Sequence, residues 1–220
     1  HGRPPMYDRR RYKKNARIQL AGHWLTFALL TLLCTLITSA LTFAKDAPVS
    51  STCRLAFAVI SIAISGILQT AYCAVALERK KGTSGPLFND FLTGLSRWLT
   101  ATLGAFWFTL WAMLWCCLFV IPGIVKAISY SQMFFIIAEY PDINADKALG
   151  ISKLMTHGHK ADIAAHALSF IPWLLLSAAT CGIALFWVTP YFTQSYANAY
   201  HEMKEEAVRS GRLSYEDFKD

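Results

Sequence analysis

The chain alternates between long stretches without a formal charge and short segments that hold most of the charged residues. A helix needs about 20 consecutive apolar residues to cross a bilayer. The first stretch is also too long for the apolar region of a cleavable signal peptide. We therefore expect an all-α, polytopic membrane helix bundle. The stretches cover residues 18–44, 55–77, 98–138 and 163–200, and the third has Lys126 as its single charge.

Two of these stretches are long enough for two crossings each. Pro122–Gly123 and the segment 180–182 lie inside them and favour turns. Re-entrant half-helices at Pro122 or Gly182 are the alternative, because irregular backbone is tolerated in a membrane where protein covers it. The favoured division gives about six transmembrane helices, over residues 18–44, 55–77, 98–121, 123–139, 163–180 and 182–200.

The remaining segments surround a single transmembrane helical domain over residues 18–200. Residues 1–5 precede a methionine and are typical of the scar of an affinity tag. Residues 6–17 form a basic cytoplasmic N-terminal segment, and 201–220 form a cytoplasmic C-terminal helix and tail. Between the fourth and fifth crossings the spacing predicts a short amphipathic cytoplasmic helix. Its inner face consists of Ala145, Ala148, Leu149, Ser152 and Met155.

Composition supports a membrane location and excludes several other classes. The chain is 55% hydrophobic and 16% charged, which is too apolar for an ordinary soluble domain of 220 residues. Six crossings use roughly 120 residues, so no separate soluble catalytic domain fits. Glycine, proline and cysteine are too few or too scattered for a collagen-like, disordered or disulfide-stabilised chain.

Lysine and arginine fall almost entirely on one side of this topology. If the N-terminus is cytoplasmic, only Lys45, Arg54 and Lys126 lie on the outer side. Because cytoplasmic loops of membrane proteins carry an excess of basic residues, both termini are predicted to be inside. The basic stretch 9–17 then has anionic lipid headgroups as its simplest partner, and we expect no nucleic acid.

Polar side chains within the crossings define one candidate site. Asp162 and His166 share a face of the fifth crossing, and Gln194 and Asn198 share a face of the sixth. Intramembrane ionisable groups are functional candidates, although Asp162 and His166 lie close enough to the interface for ordinary solvation. The polar pocket that we predict consists of Gln69, Gln132, Asp162, His166, Gln194 and Asn198.

A second candidate is a stripe of tryptophans on the third crossing. Trp107, Trp111 and Trp115 recur every fourth residue and share a helix face. Such a face suits a lipid tail or a partner membrane protein, and ordinary packing against core or lipid is the alternative.

The sequence offers little for catalysis or metal binding. Metal-ligating side chains occur at His157, His159, Asp162 and His166. Their spacing matches no established zinc pattern, and no second cluster completes the set. We find no nucleophile paired with a base at spanning depth, so we expect no enzyme, no cofactor and no metal. Cys53 and Cys181 map to the outer side, where a disulfide is permitted.

Several motifs together resemble the bacterial membrane family called Domain of Unknown Function 975. The resemblance extends from about Tyr12 to Tyr200 and departs at His23, where the family usually has asparagine. It implies a multi-pass protein of the bacterial cytoplasmic membrane without an established activity, and it supplies no catalytic residue. The motifs are Gly22-His23-Trp24, Gly94, the run 121–131, Tyr140-Pro141-Asp142-Ile143, Ser152-Lys153-Leu154-Met155 and Gly158-His159-Lys160.

Two function classes follow from these patterns. The favoured one is a non-enzymatic membrane module that binds lipid, a partner membrane protein or a second copy of itself. The alternative is a small transporter or channel, with a polar path near Asp162, His166, Gln194 and Asn198.

Overall fold

A computed structural model describes residues 7–46, 50–82, 87–118, 120–140 and 142–218. The structure is 84% helical, and these ranges contain no strand. The predicted all-α class is confirmed. The α-helices are α1 Arg9–Leu20, α2 Trp24–Asp46, α3 Ser51–Lys81, α4 Leu87–Leu95, α5 Trp98–Leu118, α6 Val120–Tyr130, α7 Met133–Glu139, α8 Ala145–Met155, α9 Lys160–Leu168, α10 Ile171–Ala179 and α11 Leu185–Arg209, followed by the 3₁₀ helix Tyr215–Phe218.

Four segments of the described ranges are long and apolar enough to cross a membrane. They are Trp24–Ala44, Ser51–Lys81, Trp98–Trp115 and Lys160–Ala179. Large apolar side chains are exposed along these segments, for example Leu36 on α2. In water such surfaces are unfavourable, whereas in hydrocarbon they need no further cover. The structure thus supports a membrane protein, with four of the six expected crossings meeting this criterion.

The predicted first crossing is corrected at its N-terminal end. The chain turns after α1, where Gly22 adopts a positive φ of 81° that glycine accepts without strain. Residues 18–20 therefore belong to α1, and the apolar helix starts at Trp24. Asp8 caps α1 by accepting hydrogen bonds from the backbone N–H groups of Arg10 and Arg11.

The turn expected at Pro122–Gly123 is also corrected. Pro122 lies in the first turn of α6, where its missing N–H has no helical partner to lose. α5 ends at Leu118 and α6 begins at Val120, so these two helices separate just before the predicted pair. A further break at Ser131–Gln132 divides the expected helix 123–139 into α6 and α7.

The last two predicted crossings differ in a similar way. Residues 163–180 form two helices, α9 and α10, separated by a turn at Ser169–Phe170. Pro172 follows in the first turn of α10, where its missing N–H has no helical partner to lose. A turn with positive φ at Cys181 and Gly182 leads into α11, which starts at Leu185 and continues to Arg209. The predicted helical continuation beyond residue 200 is confirmed.

Small residues allow α3, α4 and α5 to pack closely. A Cβ atom on Gly66 of α3 would lie 2.3 Å from the Cβ of Ala105 and 2.8 Å from the carbonyl oxygen of Ala101. A Cβ on Gly94 of α4 would lie 2.4 Å from the Cα of Ala71. Close approach through small residues is typical of helix packing in membranes. The helix α4 itself was not predicted.

The predicted short helix is present as α8, while its cytoplasmic location stays a prediction. All five residues of its predicted inner face are buried. The hydroxyl of Ser152 donates a hydrogen bond of 2.8 Å to the carbonyl of Ser129 at the end of α6. Because α8 also packs against α5 and α7, it is part of the bundle core.

Several helix ends meet at one end of the bundle, which we call the polar end. The Nη1 of Arg97, before α5, donates to the carbonyl of Ile137 in α7. Glu139 at the end of α7 contacts Lys204 of α11. The hydroxyl of Tyr7, before α1, contacts the ring of His166 in α9. The largest buried apolar cluster, with Met133, Ile136 and Tyr200, lies among the same helices.

Candidate functional site

An open apolar groove lies between α2, α10 and α11, and we call it the indole groove. Its volume is about 530 Å³, within the range of roughly 300–1,000 Å³ that small-molecule sites occupy. Three tryptophan rings form much of its wall, and one arginine is the only charged residue among the described residues that line it. The lining consists of Arg17, Trp24, Trp173, Trp187, Val188 and Tyr191.

The turn between α1 and α2 gives the groove its polar boundary. Because the chain turns at Gly22, Arg17 at the end of α1 and Trp24 at the start of α2 line the same groove. The guanidinium carbon of Arg17 lies 5.3 Å from the centre of the Tyr191 ring, within the distance of a cation–π contact. Trp173 packs edge-on against the same ring at 6.2 Å. The groove therefore joins a cation to an aromatic wall.

A second groove, which we call the basic groove, lies between α1 and α9. Its volume is about 480 Å³, and it is lined by Arg9, Arg10, Lys13, Ala165, Leu168 and Ser169. The Nζ of Lys13 donates a hydrogen bond of 2.9 Å to the carbonyl of Ser169 and lies 4.0 Å from the centre of the Phe170 ring. Since Lys13 and Arg17 are four residues apart on α1, the two grooves adjoin.

Within the described part of the chain, the cations of these grooves have no acidic partners. Among the described residues, no carboxylate lines either groove, and none lies within ion-pair distance of Arg9, Arg10, Lys13 or Arg17. Burial lowers the pKa of Lys13, and the charges of Arg17 and Arg9 lower it further. By contrast, Arg11 lies on the opposite side of α1 and pairs with Glu202 of α11.

Two residues of the predicted polar pocket meet, together with one that was not predicted. The side-chain oxygen of Gln19 accepts hydrogen bonds from Gln194 at 2.9 Å and from Asn198 at 3.0 Å. Gln194 also donates to the carbonyl of Ala76 in α3, at 3.0 Å. The hydrogen bonds of these amides connect α1, α3 and α11, so the amides hold the three helices together.

His166 forms a separate cluster. Its ring contacts the hydroxyl of Tyr7 through Nδ1 at 2.8 Å and that of Ser195 through Nε2 at 2.9 Å. The serine and the imidazole have the connectivity of a nucleophile and its base, which sequence reasoning did not find. Neither side chain has any exposed surface, so a substrate has no contact with them. The cluster connects the N-terminal segment, α9 and α11.

Among the described residues, the other three predicted pocket residues share no hydrogen bond with either cluster. Asp162 is half exposed, with a carboxylate oxygen 3.6 Å from Nδ1 of His159. Gln132 is fully buried and donates to the hydroxyl of Ser131 at 3.1 Å. Gln69 is exposed on α3, in the wall of a further cavity.

This further cavity, which we call the hydroxyl-lined cavity, lies between α2, α3 and α11. Its volume is about 200 Å³. At one point its wall is closed by a hydrogen bond of 2.9 Å between the hydroxyls of Thr31 and Tyr72. The threonines of α2 and the serine of α3 bond mainly to carbonyls of their own helices, as Thr38 does to Cys34. Its polar lining includes Thr31, Thr35, Thr38, Ser65, Gln69 and Thr193.

The predicted tryptophan face on α5 is divided between different environments. Trp107 packs partly against the main apolar core. Trp111 is 37% exposed, and the Nζ of Lys126 lies 4.9 Å from the ring centre of Trp115. The tryptophans of the indole groove were not predicted. The four-residue spacing of Trp187 and Tyr191 was the available signal, but nothing in the sequence places Trp173 beside them.

The remaining candidate chemistry is limited. Within the described ranges, no three potential metal-ligating side chains cluster. The Nε2 of His159 lies 3.0 Å from a carboxylate oxygen of Glu206. Cys53 and Cys181 are exposed free thiols in the structure.

These features define an all-helical protein with helices that are long and apolar enough to cross a membrane, and with open grooves beside its first helix. Residues 100–207 match the model of the family described as Protein of unknown function (DUF975), and over this segment the chain is similar to that family. The resemblance noted from the sequence motifs is confirmed. No curated protein and no solved structure matches the chain.

Proposed function

We propose that this chain is a membrane protein of six crossings with both termini in the cytoplasm, and that it acts as a non-enzymatic module that binds membrane lipid in the indole groove. The single observation that carries the lipid proposal is the groove itself, an open aromatic surface with one cation at its edge. Lipid molecules combine an apolar tail with a polar head and therefore match such a surface.

The contacts at the polar end support an even number of crossings. Gln194 contacts both Gln19, just before α2, and Ala76, near the end of α3. The pair α2 and α3 thus leaves this end and returns to it. The contact of Arg97 with Ile137 indicates the same for α5 and the pair α6–α7. The pair α9–α10 and α11 forms the third such hairpin, since His166 contacts Ser195.

The distribution of basic residues supports the cytoplasmic assignment of this end. Three basic segments lie at the polar end, namely Arg9 to Arg17, Arg79 to Lys81 and Lys204 to Arg212. By the positive-inside rule this end is cytoplasmic in a bacterium, and α6–α7 and α11 are the two remaining crossings. Neither α6 nor α7 alone is long enough to span a bilayer, and burial by protein of polar side chains such as Gln194 and Asn198 accounts for the lower hydropathy of α11.

The native cysteines test the topology. Cys53 at the start of α3 and Cys181 before α11 are exposed and belong to the outer side in this proposal. A membrane-impermeant maleimide added to spheroplasts is expected to label the chain. The double variant C53S/C181S is the matched control and is expected to lose that labelling. Labelling of these two residues only after the cytoplasmic face is opened would contradict the topology.

Substitution of one groove tryptophan tests lipid binding. Trp173→Ala removes part of the groove wall, an aromatic contact worth roughly 1 kcal/mol, so retention of phosphatidylcholine is expected to fall about fivefold. Retention is measured by native mass spectrometry of protein released from phosphatidylcholine nanodiscs. Trp111→Ala is the matched control, because both tryptophans are 37% exposed. An equal loss in both variants would favour the α5 face or general lipid contact over the groove.

The hydroxyl-lined cavity favours a second candidate, a transporter for a small polar solute. Its hydroxyls and the amide of Gln69 face a space between three helices. Flux of small solutes into proteoliposomes, with Gln69→Leu as the variant, tests this function. Flux that Gln69→Leu abolishes would support it, and the absence of flux for every solute tried would count against it.

A further inference from the structure

We infer that the lipid held at the indole groove is an anionic phospholipid, whose phosphate headgroup lies in the basic groove between α1 and α9. This inference rests on the proposed lipid function and adds the class of headgroup. It assigns the basic N-terminal helix to a defined site, in place of a general attraction to the membrane surface.

The cations of α1 are divided between two flanks with different uses. Tyr12, Ala16 and Leu20 form the buried face of the helix. On one flank, Arg11 already has its counter-charge in Glu202. The other flank faces α9 and α10 and carries four cations, Arg9, Arg10, Lys13 and Arg17. Cations gathered around a concave surface without carboxylates create a positive potential that an anion relieves.

The geometry selects an amphiphile over a free anion. Lys13 lines the basic groove and Arg17 lines the indole groove, and the two side chains are one helical turn apart. Ser169 borders the basic groove, and Trp173, four residues later, borders the indole groove. A molecule that fills both grooves therefore needs an anionic group and an apolar chain next to each other, as in a phospholipid.

The state of Lys13 agrees with a missing counter-charge. Among the described residues, the Nζ donates to a neutral carbonyl, that of Ser169, and lies over the Phe170 ring. The pKa of Lys13 is lowered by burial and by the neighbouring charges of Arg17 and Arg9. A phosphate in the basic groove would supply charge-assisted hydrogen bonds to this ammonium group and oppose that shift.

The test compares two lipids and two charge variants of the full chain. The protein is reconstituted in nanodiscs with equal amounts of phosphatidylglycerol and phosphatidylcholine, and the retained lipids are identified by native mass spectrometry. We expect preferential retention of phosphatidylglycerol. Lys13→Gln is expected to reduce that preference about fivefold, because it removes a charge-assisted contact with the headgroup in the basic groove.

Lys14→Gln provides the matched control. Lys14 is an exposed lysine of the same helix that lines neither groove, and the substitution removes the same charge. The preference for phosphatidylglycerol is expected to be unchanged in this variant. Glycerol phosphate, which offers the headgroup without chains, is expected to compete poorly with the lipid. Helix content by circular dichroism checks that both variants fold.

The possible results separate the inference from the proposed function. Equal loss of preference in Lys13→Gln and Lys14→Gln would overturn the defined site in favour of diffuse surface charge. Effective competition by glycerol phosphate would overturn the requirement for the chain. Equal retention of both lipids, with a loss of retention in Trp173→Ala, would overturn the anionic headgroup and leave the lipid function intact. If the protein retains neither lipid, both the anionic headgroup and the proposed lipid function are overturned.

Discussion

Glu139 at the end of α7 accepts a hydrogen bond of 2.6 Å from the Nζ of Lys204 in α11. The same carboxylate oxygen accepts a bond of 2.5 Å from the hydroxyl of Tyr200. Both charged side chains are largely buried. Burial lowers the pKa of Lys204, but hydrogen bonds to Glu139 and Tyr140 outweigh this and leave it raised, so the lysine stays charged at neutral pH. The pair connects two parts of the polar end that are distant in sequence.

Removal of the carboxylate is expected to destabilise the fold strongly. Glu139→Gln leaves the ammonium group of Lys204 buried without a counter-charge, at a cost of about 3 kcal/mol. The measurement is the free energy of unfolding in detergent. Lys81→Met serves as the control, since the pair of Lys81 with Glu78 is more exposed and is worth about 1 kcal/mol or less. Similar small losses in both variants would contradict a structural role for the buried pair.

Two glycine-to-alanine variants are expected to have opposite effects on stability. In Gly66→Ala the new methyl group meets Ala105 and the backbone of Ala101, so α3 and α5 must separate, which costs roughly 1–3 kcal/mol. In Gly150→Ala no atom lies within 4 Å of the new Cβ, and the helix α8 gains about 1 kcal/mol. Unfolding midpoints in detergent measure both changes. A neutral Gly66→Ala would show that the α3–α5 contact is looser than described.

The sequence predicted the fold class and the α8 helix because both depend on local patterns. Long charge-free stretches and helical spacing are visible without knowledge of tertiary contacts. The breaks inside the crossings were missed for the opposite reason. Ser131–Gln132 contains neither glycine nor proline, and the buried position of Gln132 depends on neighbouring helices. The turn at Pro122 was misplaced because proline is equally compatible with the first turn of a helix.

The candidate site was less accessible to sequence reasoning than the fold. Arg17 and Trp173 belong to helices far apart in the chain, and only the turn at Gly22 and the position of α10 bring them to one groove. The predicted polar pocket assumed that residues on two crossings would face each other. Gln194 and Asn198 instead contact Gln19 of α1, which the prediction had placed at the edge of the membrane.

The hydroxyl of Tyr7 is expected to stabilise the fold through His166. Tyr7→Phe removes one of the two hydroxyl partners of a fully buried imidazole, and the loss is about 1 kcal/mol. Thermal unfolding in detergent measures it. Tyr215→Phe is the control, because Tyr215 is largely exposed, and no change is expected there. Equal stability of Tyr7→Phe and the native chain would show that Tyr7 does not fix the N-terminal segment to α9.

His201 is expected to make the polar end sensitive to acid. Burial lowers its pKa from 6.5 to about 4, and the charge of Lys80 contributes. As the pH falls, His201 therefore binds a proton near pH 6.5 in the unfolded chain but only near pH 4 in the folded chain. The stability associated with the neutral ring is present above pH 6.5 and is lost as the pH falls from 6.5 to about 4. Across this pH interval the free energy of unfolding should decline less in His201→Gln than in the native chain. His23→Gln, at an exposed position, is the control and should show the same decline as the native chain. Identical slopes in all three proteins would mean that His201 titrates alike in the folded and unfolded states.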